Sequence, residues 1–169
     1  VPEELADEPP AALVDRLVLA WQRSNGHLAR VTEALVTAPE SWSPTAAKLR
    51  TPEEFAVCGL RMLGQDSDAL AVTADTGTIG MGQEVQSAPS PAGWPERSEE
   101  WLGPEAMWTR VEWAQHLARR LGGEHDARTV ARKALGAGLS ARTAQQLSQA
   151  ADGEQALTLL LLSPEVQRR

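Results

Sequence analysis

The fold is decided by one stretch near the end of the chain, Asp152-Gly-Glu-Gln-Ala-Leu-Thr-Leu-Leu-Leu-Leu162. Asp152 is a typical helix N-cap residue, and Gln155 follows three positions later, so the pair resembles a capping box that starts a helix. The residues after it are apolar on most sides of that helix. Such a helix is shielded from water only inside a bundle, so we expect it near the centre of a helical fold.

Capped amphipathic patterns predict further helices on both sides of this stretch. The clearest start is Thr51, with Pro52 at the first helical position and Glu54 completing a capping box. The predicted helices cover about 11–24, 27–37, 52–63, 67–83, 104–121, 127–135, 141–151 and 153–162. Between 84 and 98 the chain is rich in Pro and Ser and has no periodicity. The prediction is an all-α fold, an irregular bundle of seven or eight helices with one long Pro-rich loop.

Composition and charge narrow the classes of function. The 169 residues carry a formal charge of -7, and the basic residues form no stripe, so the sequence disfavours nucleic acid binding. The longest apolar run, 156–162, is far shorter than the roughly 20 residues of a transmembrane helix. Residues 1–10 are acidic with three prolines and predict an extended lead-in, and 11–169 predict a single helical domain. Because the chain begins at Val1 and not at Met, we expect a processed or partial product.

No motif in the sequence predicts a catalytic, metal or cofactor site. Glu112 and His116 stand one helical turn apart, which favours an ordinary surface pair over a metal centre. Cys58 falls on the apolar face of a predicted helix and has no His near it in sequence, so it is interpreted as a packed thiol. The glycines of 77–82 resemble a phosphate-binding loop, but no Walker lysine follows them and no strand precedes them. Close helix packing is the favoured interpretation of that run.

The six tryptophans have two interpretations. Trp21, Trp108 and Trp113 fall on predicted helices and are expected in the core. A weaker alternative makes Trp108 and Trp113, with Met107, the lining of a ligand pocket within the bundle. For Trp94, in the Pro-rich loop, a structural role in pinning the loop is favoured over stacking on a ligand.

Several blocks of the sequence are similar to one known family. They are Lys48-Leu-Arg-Thr-Pro-Glu-Glu-Phe-Ala-Val57, Met81-Gly82-Gln83, Ala88-Pro-Ser-Pro-Ala-Gly-Trp-Pro95, the segment 101–110 that starts Trp101-Leu102, and Leu159-Leu-Leu-Leu-Ser-Pro-Glu-Val-Gln-Arg-Arg169. Together they span about 42–169, and the chain resembles the bacterial family called domain of unknown function 1800. It departs from the family pattern at 84–87, where an apolar pair is usual, and at Val166, where Phe is usual.

The resemblance implies a largely helical fold and assigns no reaction. Family members are several hundred residues long, so the resemblance implies that this chain is the carboxyl-terminal part of a longer protein. Relatives often carry export signals, which is consistent with a location in the cell envelope. No residue inherits a catalytic role from the family.

Two hypotheses for function follow. The first is a non-catalytic helical interaction or binding module that packs against its own missing amino-terminal portion or a protein partner, through the loop from Gly82 to Trp101. The second is part of a hydrolase or polymer-handling enzyme, whose site lies at the junction with that missing portion. It needs Arg61 and Arg110 to converge on one pocket. The candidate binding residues are Arg61, Gln83, Trp94, Trp101 and Arg110.

Overall fold

The structure is a computed structural model that describes residues 7–42, 48–65, 77–84, 86–95 and 97–169. The chain divides into two compact units, Val1–Lys48 and Leu49–Arg169. Every regular element among the described residues is helical, and the extended pairing there is a single antiparallel bridge between Leu49 and Arg168. The all-α prediction is therefore confirmed, whereas the single domain over 11–169 stays a prediction.

The first unit is a helical hairpin. Helix α1 (Ala11–Arg23) and helix α2 (Leu28–Thr37) are joined by a turn in which Asn25 and Gly26 both have positive φ, so the Asn-Gly signal marks the end of α1 as expected. A 3-10 turn, Pro39–Trp42, follows α2. Leu13, Leu17 and Ala38 form its small buried core.

The second unit begins with the predicted cap and helix. Helix α3 (Pro52–Met62) starts with the full capping box: the Glu54 amide donates to the Thr51 hydroxyl, and the Thr51 amide donates to the Glu54 carboxylate at 3.0 Å. The predicted helix over 67–83 lies mostly outside the described residues, and residues 77–80 at its end form one helical turn. The Pro-rich loop has no helix in its described part until the 3-10 turn Ser98–Trp101.

The remaining helices build the core of the second unit. They are α4 (Pro104–Leu121), α5 (Ala127–Leu135), α6 (Ala141–Gln149), α7 (Gly153–Leu161) and α8 (Pro164–Gln167), with a 3-10 turn Gly136–Gly138 after α5. Side chains of Asp126, Ser140 and Asp152 cap α5, α6 and α7 as predicted. Gln155 accepts a hydrogen bond from the Ala151 amide, one residue before the expected partner.

Helix α7 lies at the centre, as its sequence predicted. It packs against α4, α5 and α6, and its residues Leu157, Leu160 and Leu161 are fully buried. Its start approaches the end of α4 so closely that a Cβ on Gly153 would lie 2.6 Å from the Gly122 carbonyl oxygen. Only glycine fits that contact between two backbones.

Two of the tryptophans predicted in the core are instead exposed. Trp113 is buried, but Trp21 is 50% exposed and Trp108 is 62% exposed. In α4 the buried stripe runs through Arg110, Trp113 and Leu117, which places Trp108 on another side of the helix. The hydrophobic pattern missed this register because a charged residue occupies the buried face. The proposed pocket of Trp108, Trp113 and Met107 is thus wrong for Trp108.

Helix α8 is a short α-helix that the sequence did not predict. Its Glu165 carboxylate accepts hydrogen bonds from the Ser140 amide at 3.1 Å and from the Thr143 hydroxyl at 2.9 Å, so it ties α8 to the start of α6. Burial acts to raise the pKa of Glu165, but hydrogen bonds led by Ser140 outweigh burial and hold that pKa below 4.5. The folded state therefore favours the ionised carboxylate.

We predict a pH-dependent loss of stability through Glu165. Because its folded pKa is depressed, its contribution is present above the ordinary carboxyl pKa and is lost as pH falls through the lower folded pKa. Glu165→Gln should lower the free energy of unfolding by about 1 kcal/mol at pH 7 and by less at pH 3. Denaturant titrations at both values measure this, with the exposed Glu124→Gln as control. An equal loss at both values would contradict the prediction.

Candidate functional site

An exposed apolar groove lies between α1 and α2. It is open, has a volume of about 420 Å³, and is lined almost entirely by apolar side chains. Val14, Val18 and Trp21 form one wall, at spacings of four and three along α1. Leu28, Val31 and Leu35 form the other wall, at spacings of three and four along α2. Each helix therefore shows the groove one continuous apolar stripe.

The groove exists because α1 has more apolar surface than its partner covers. Leu13 and Leu17 face α2 and are buried, whereas Val18 and Trp21 beside them are about half exposed. Leu28, at the start of α2, is 70% exposed. The Trp21 ring lies against Gly26, where a Cβ would come within 3.2 Å of it, so the turn helps to fix this indole in place. Packing between α1 and α2 alone therefore leaves part of both apolar stripes exposed to water.

The Pro-rich loop, in contrast, turns its indoles inward. Trp101 is buried and its Nε1 donates to the Pro95 carbonyl oxygen at 3.0 Å. Trp94 is partly buried, with its ring centroid 6.1 Å from that of Trp101. The contacts of both indoles are those expected of residues that pin a loop. Their role in binding, predicted from sequence, stays a prediction.

The side chain of Gln83 packs against the first turn of α3, thirty residues earlier in the chain. Its side chain is buried, and its Oε1 accepts a hydrogen bond from the Glu53 amide at 2.8 Å. The amides in the first turn of a helix have no partner within that helix, so Gln83 satisfies one that Thr51 does not reach. This contact joins the end of the glycine-rich run to α3. In the same run, a Cβ on Gly77 would lie 2.3 Å from Trp113 Nε1, which supports the packing interpretation of the glycines.

Arg110 and Arg61 have opposite surroundings. Arg110 is fully buried: its Nη1 donates to Gln167 Oε1 at 3.0 Å, its Nη2 donates to the Arg50 carbonyl oxygen at 2.7 Å, and its guanidinium lies 5.2 Å from the Phe55 ring centroid. Burial lowers the pKa of Arg110 to about 10, so it stays protonated at neutral pH. Arg61 is exposed and lines an open cleft beside α3 that Arg110 does not line.

Family membership is settled by a direct comparison. The model of the family described as protein of unknown function (DUF1800) matches residues 5–168. The chain belongs to the DUF1800 family. No curated protein and no solved structure matches it. The match confirms the family resemblance, and the assignment of this DUF1800 chain to the carboxyl-terminal part of a longer protein stays a prediction.

The described part of the DUF1800 chain contains neither a membrane-spanning helix nor a cluster of metal-binding side chains. Within the described ranges, no helix has the length and apolar character needed to cross a bilayer. Across the same residues, His, Cys, Asp and Glu side chains form no group of three or more that could hold a metal ion. His116 and Glu112 both line a small open pocket beside residues 77–80.

We predict that Gln83 stabilises the fold. Gln83→Ala removes the acceptor from the Glu53 amide and should lower the free energy of unfolding by about 1–3 kcal/mol, the cost of an unpaired buried amide. Denaturant unfolding measures the change. Gln145→Ala, at an exposed position on α6, is the matched control and should change stability by less than about 0.5 kcal/mol. Equal stability of Gln83→Ala and the unaltered chain would contradict the structural role.

Proposed function

We propose that this chain is a helical interaction module that binds a protein partner through the groove between α1 and α2. The observation that carries the proposal is the pair of apolar stripes that this groove leaves exposed to solvent. Folded chains seldom expose contiguous apolar surface of this kind unless a partner covers it. Removing that surface from water supplies the free energy of association.

The shape of the groove favours an amphipathic helix as its occupant. Two packed helices present a furrow into which the ridge of a third helix fits, at the 8–10 Å interaxial distances usual for helix packing. The wall on α1 runs from Val14 to Trp21, so it is about 11 Å long and matches roughly two turns of a partner helix. Such a helix would place apolar residues at spacings of three, four and seven on Val18, Trp21 and Leu28.

This proposal keeps the interaction module of the first hypothesis from sequence, but assigns its binding to a different surface. It placed docking at the Pro-rich loop, but Trp101 of that loop is buried, whereas Trp21 of the groove is half exposed. The alternative of a hydrolase or polymer-handling enzyme required Arg61 and Arg110 to converge on one pocket. Arg110 instead binds the main chain of Arg50 and the side chain of Gln167 in the core. The geometry therefore favours the interaction module over that alternative.

Site-specific cross-linking tests the proposal. In one variant, a photo-reactive benzoylphenylalanine replaces Leu28 in the groove. In the control variant, it replaces the exposed Gln145. After irradiation in the producing cells, we expect an adduct from position 28 and none from position 145. The cross-linked peptide should have the apolar spacing of an amphipathic helix. Val18→Glu, on the opposite wall of the groove, should abolish the adduct, because a carboxylate there would be desolvated without a partner.

Three outcomes would contradict this function. The adduct could form equally at both positions, or survive Val18→Glu, or join position 28 to residues of the same chain or of a second copy. An intramolecular adduct would instead make the groove an internal packing surface. Val18 is about half exposed, so the circular dichroism spectrum and melting temperature of Val18→Glu should match those of the unaltered chain.

A further inference from the structure

A second surface feature, an open cleft of about 470 Å³ in the Leu49–Arg169 unit, has a different character. We call it the α3 cleft. One side of α3 lines it with Val57, Arg61 and Met62. Arg50 lines it from the segment before α3, and Arg169 lines it from the end of the chain. The cleft thus has an apolar floor and three guanidinium groups at its rim.

The charges of the α3 cleft do not cancel. Glu54 is the one acidic residue among its lining residues, and its carboxylate is already paired with Arg169 Nε at 3.0 Å. The same carboxylate also accepts from the Thr51 amide. Arg50 donates through Nη1 to carbonyl oxygens of Glu165, Val166 and Arg168, which orient its guanidinium and leave its formal charge. Among the described residues that line the cleft, no acidic side chain is therefore left to pair with Arg50 and Arg61.

The cleft is also ordered in advance of any ligand. Arg50 is held by several carbonyl oxygens, and Arg169 is held by Glu54. Arg61 stands on the last turn of α3, and none of the described residues forms an ion pair with it. The guanidinium groups of Arg50 and Arg169 therefore lose little conformational entropy when an anion arrives, whereas the exposed Arg61 side chain becomes ordered on binding.

We propose that the α3 cleft binds a small organic oxyanion, a carboxylate or a phosphate monoester, that carries a short apolar group. The planar guanidinium of Arg61 matches the paired oxygens of carboxylate and phosphate in geometry. The Val57 and Met62 floor gives the apolar group a surface that water would otherwise cover. An inorganic anion gains only the contact with the Arg61 guanidinium, so it binds more weakly than an anion that also carries an apolar group.

An NMR titration of the full chain tests this proposal. Hexanoate, hexyl phosphate and inorganic phosphate are added separately at constant ionic strength, and the arginine Nε–H and backbone amide signals are followed. We expect saturable shifts at Arg61 and Val57, with the better hexyl ligand binding at least about fivefold more tightly than inorganic phosphate. The two hexyl ligands tell which oxyanion the cleft prefers.

The matched variants are Arg61→Gln and Arg142→Gln, the latter at an exposed arginine on α6 outside the cleft. Arg61→Gln should weaken binding of the better hexyl ligand by at least about fivefold, and Arg142→Gln should leave it unchanged. Equal weakening by both variants would mean that the loss of affinity comes from the change in net charge, and would overturn the proposal. Shifts that do not saturate, or equal affinity for hexyl phosphate, hexanoate and inorganic phosphate, would also overturn it. Because Arg61 is exposed, both variants should fold normally.

Discussion

The buried guanidinium of Arg110 is the contact on which the second unit depends. It connects three parts of the chain that are far apart in sequence: α4, which carries it, the Arg50 carbonyl oxygen before α3, and the Gln167 side chain in α8. Removing a charged group from water is costly, and the cost is offset only where its donors find acceptors in good geometry. Here both acceptors are neutral oxygens, and the Phe55 ring lies alongside the cation.

The contacts of Arg110 also hold the two ends of the second unit in place. Gln167 also donates to the Leu161 carbonyl oxygen at 3.2 Å, so Arg110 reaches the central helix α7 through it. The Arg50 amide donates to the Gln167 carbonyl oxygen at 2.8 Å, which aligns the segment before α3 with the end of the chain. This alignment places Arg50 and Arg169 beside α3 and so forms the rim of the α3 cleft. The groove between α1 and α2 is independent of it, since the first unit has its own small core.

The sequence predicted the parts of this fold that depend on near neighbours. The caps at Thr51, Asp126 and Ser140 act within three residues, and each lies where its pattern predicted. The contacts of Arg110 connect residues about sixty positions apart, and no local pattern marks them. An arginine within a helix is usually exposed. The sequence pattern therefore predicts the wrong buried face for α4 and places Trp108 in the core.

The candidate sites were predictable only in part, for the same reason. Arg61 was identified from sequence, and it does line an open cleft, but Arg50 and Arg169 reach that cleft through long-range pairing. The groove was missed because the stripe of Val14, Val18 and Trp21 has the ordinary pattern of a core face. Whether such a stripe is buried depends on what packs against it, which the spacing of apolar residues does not encode.

Arg110 and Gln167 stabilise the fold through each other. A double-mutant cycle with Arg110→Met, Gln167→Met and the double variant, followed by denaturant unfolding, measures this coupling directly. We expect each single variant to lose stability and the double variant to lose less than the sum, by about 1–3 kcal/mol, because each single change leaves a buried polar group unpaired. Losses that add to within about 0.5 kcal/mol would contradict it.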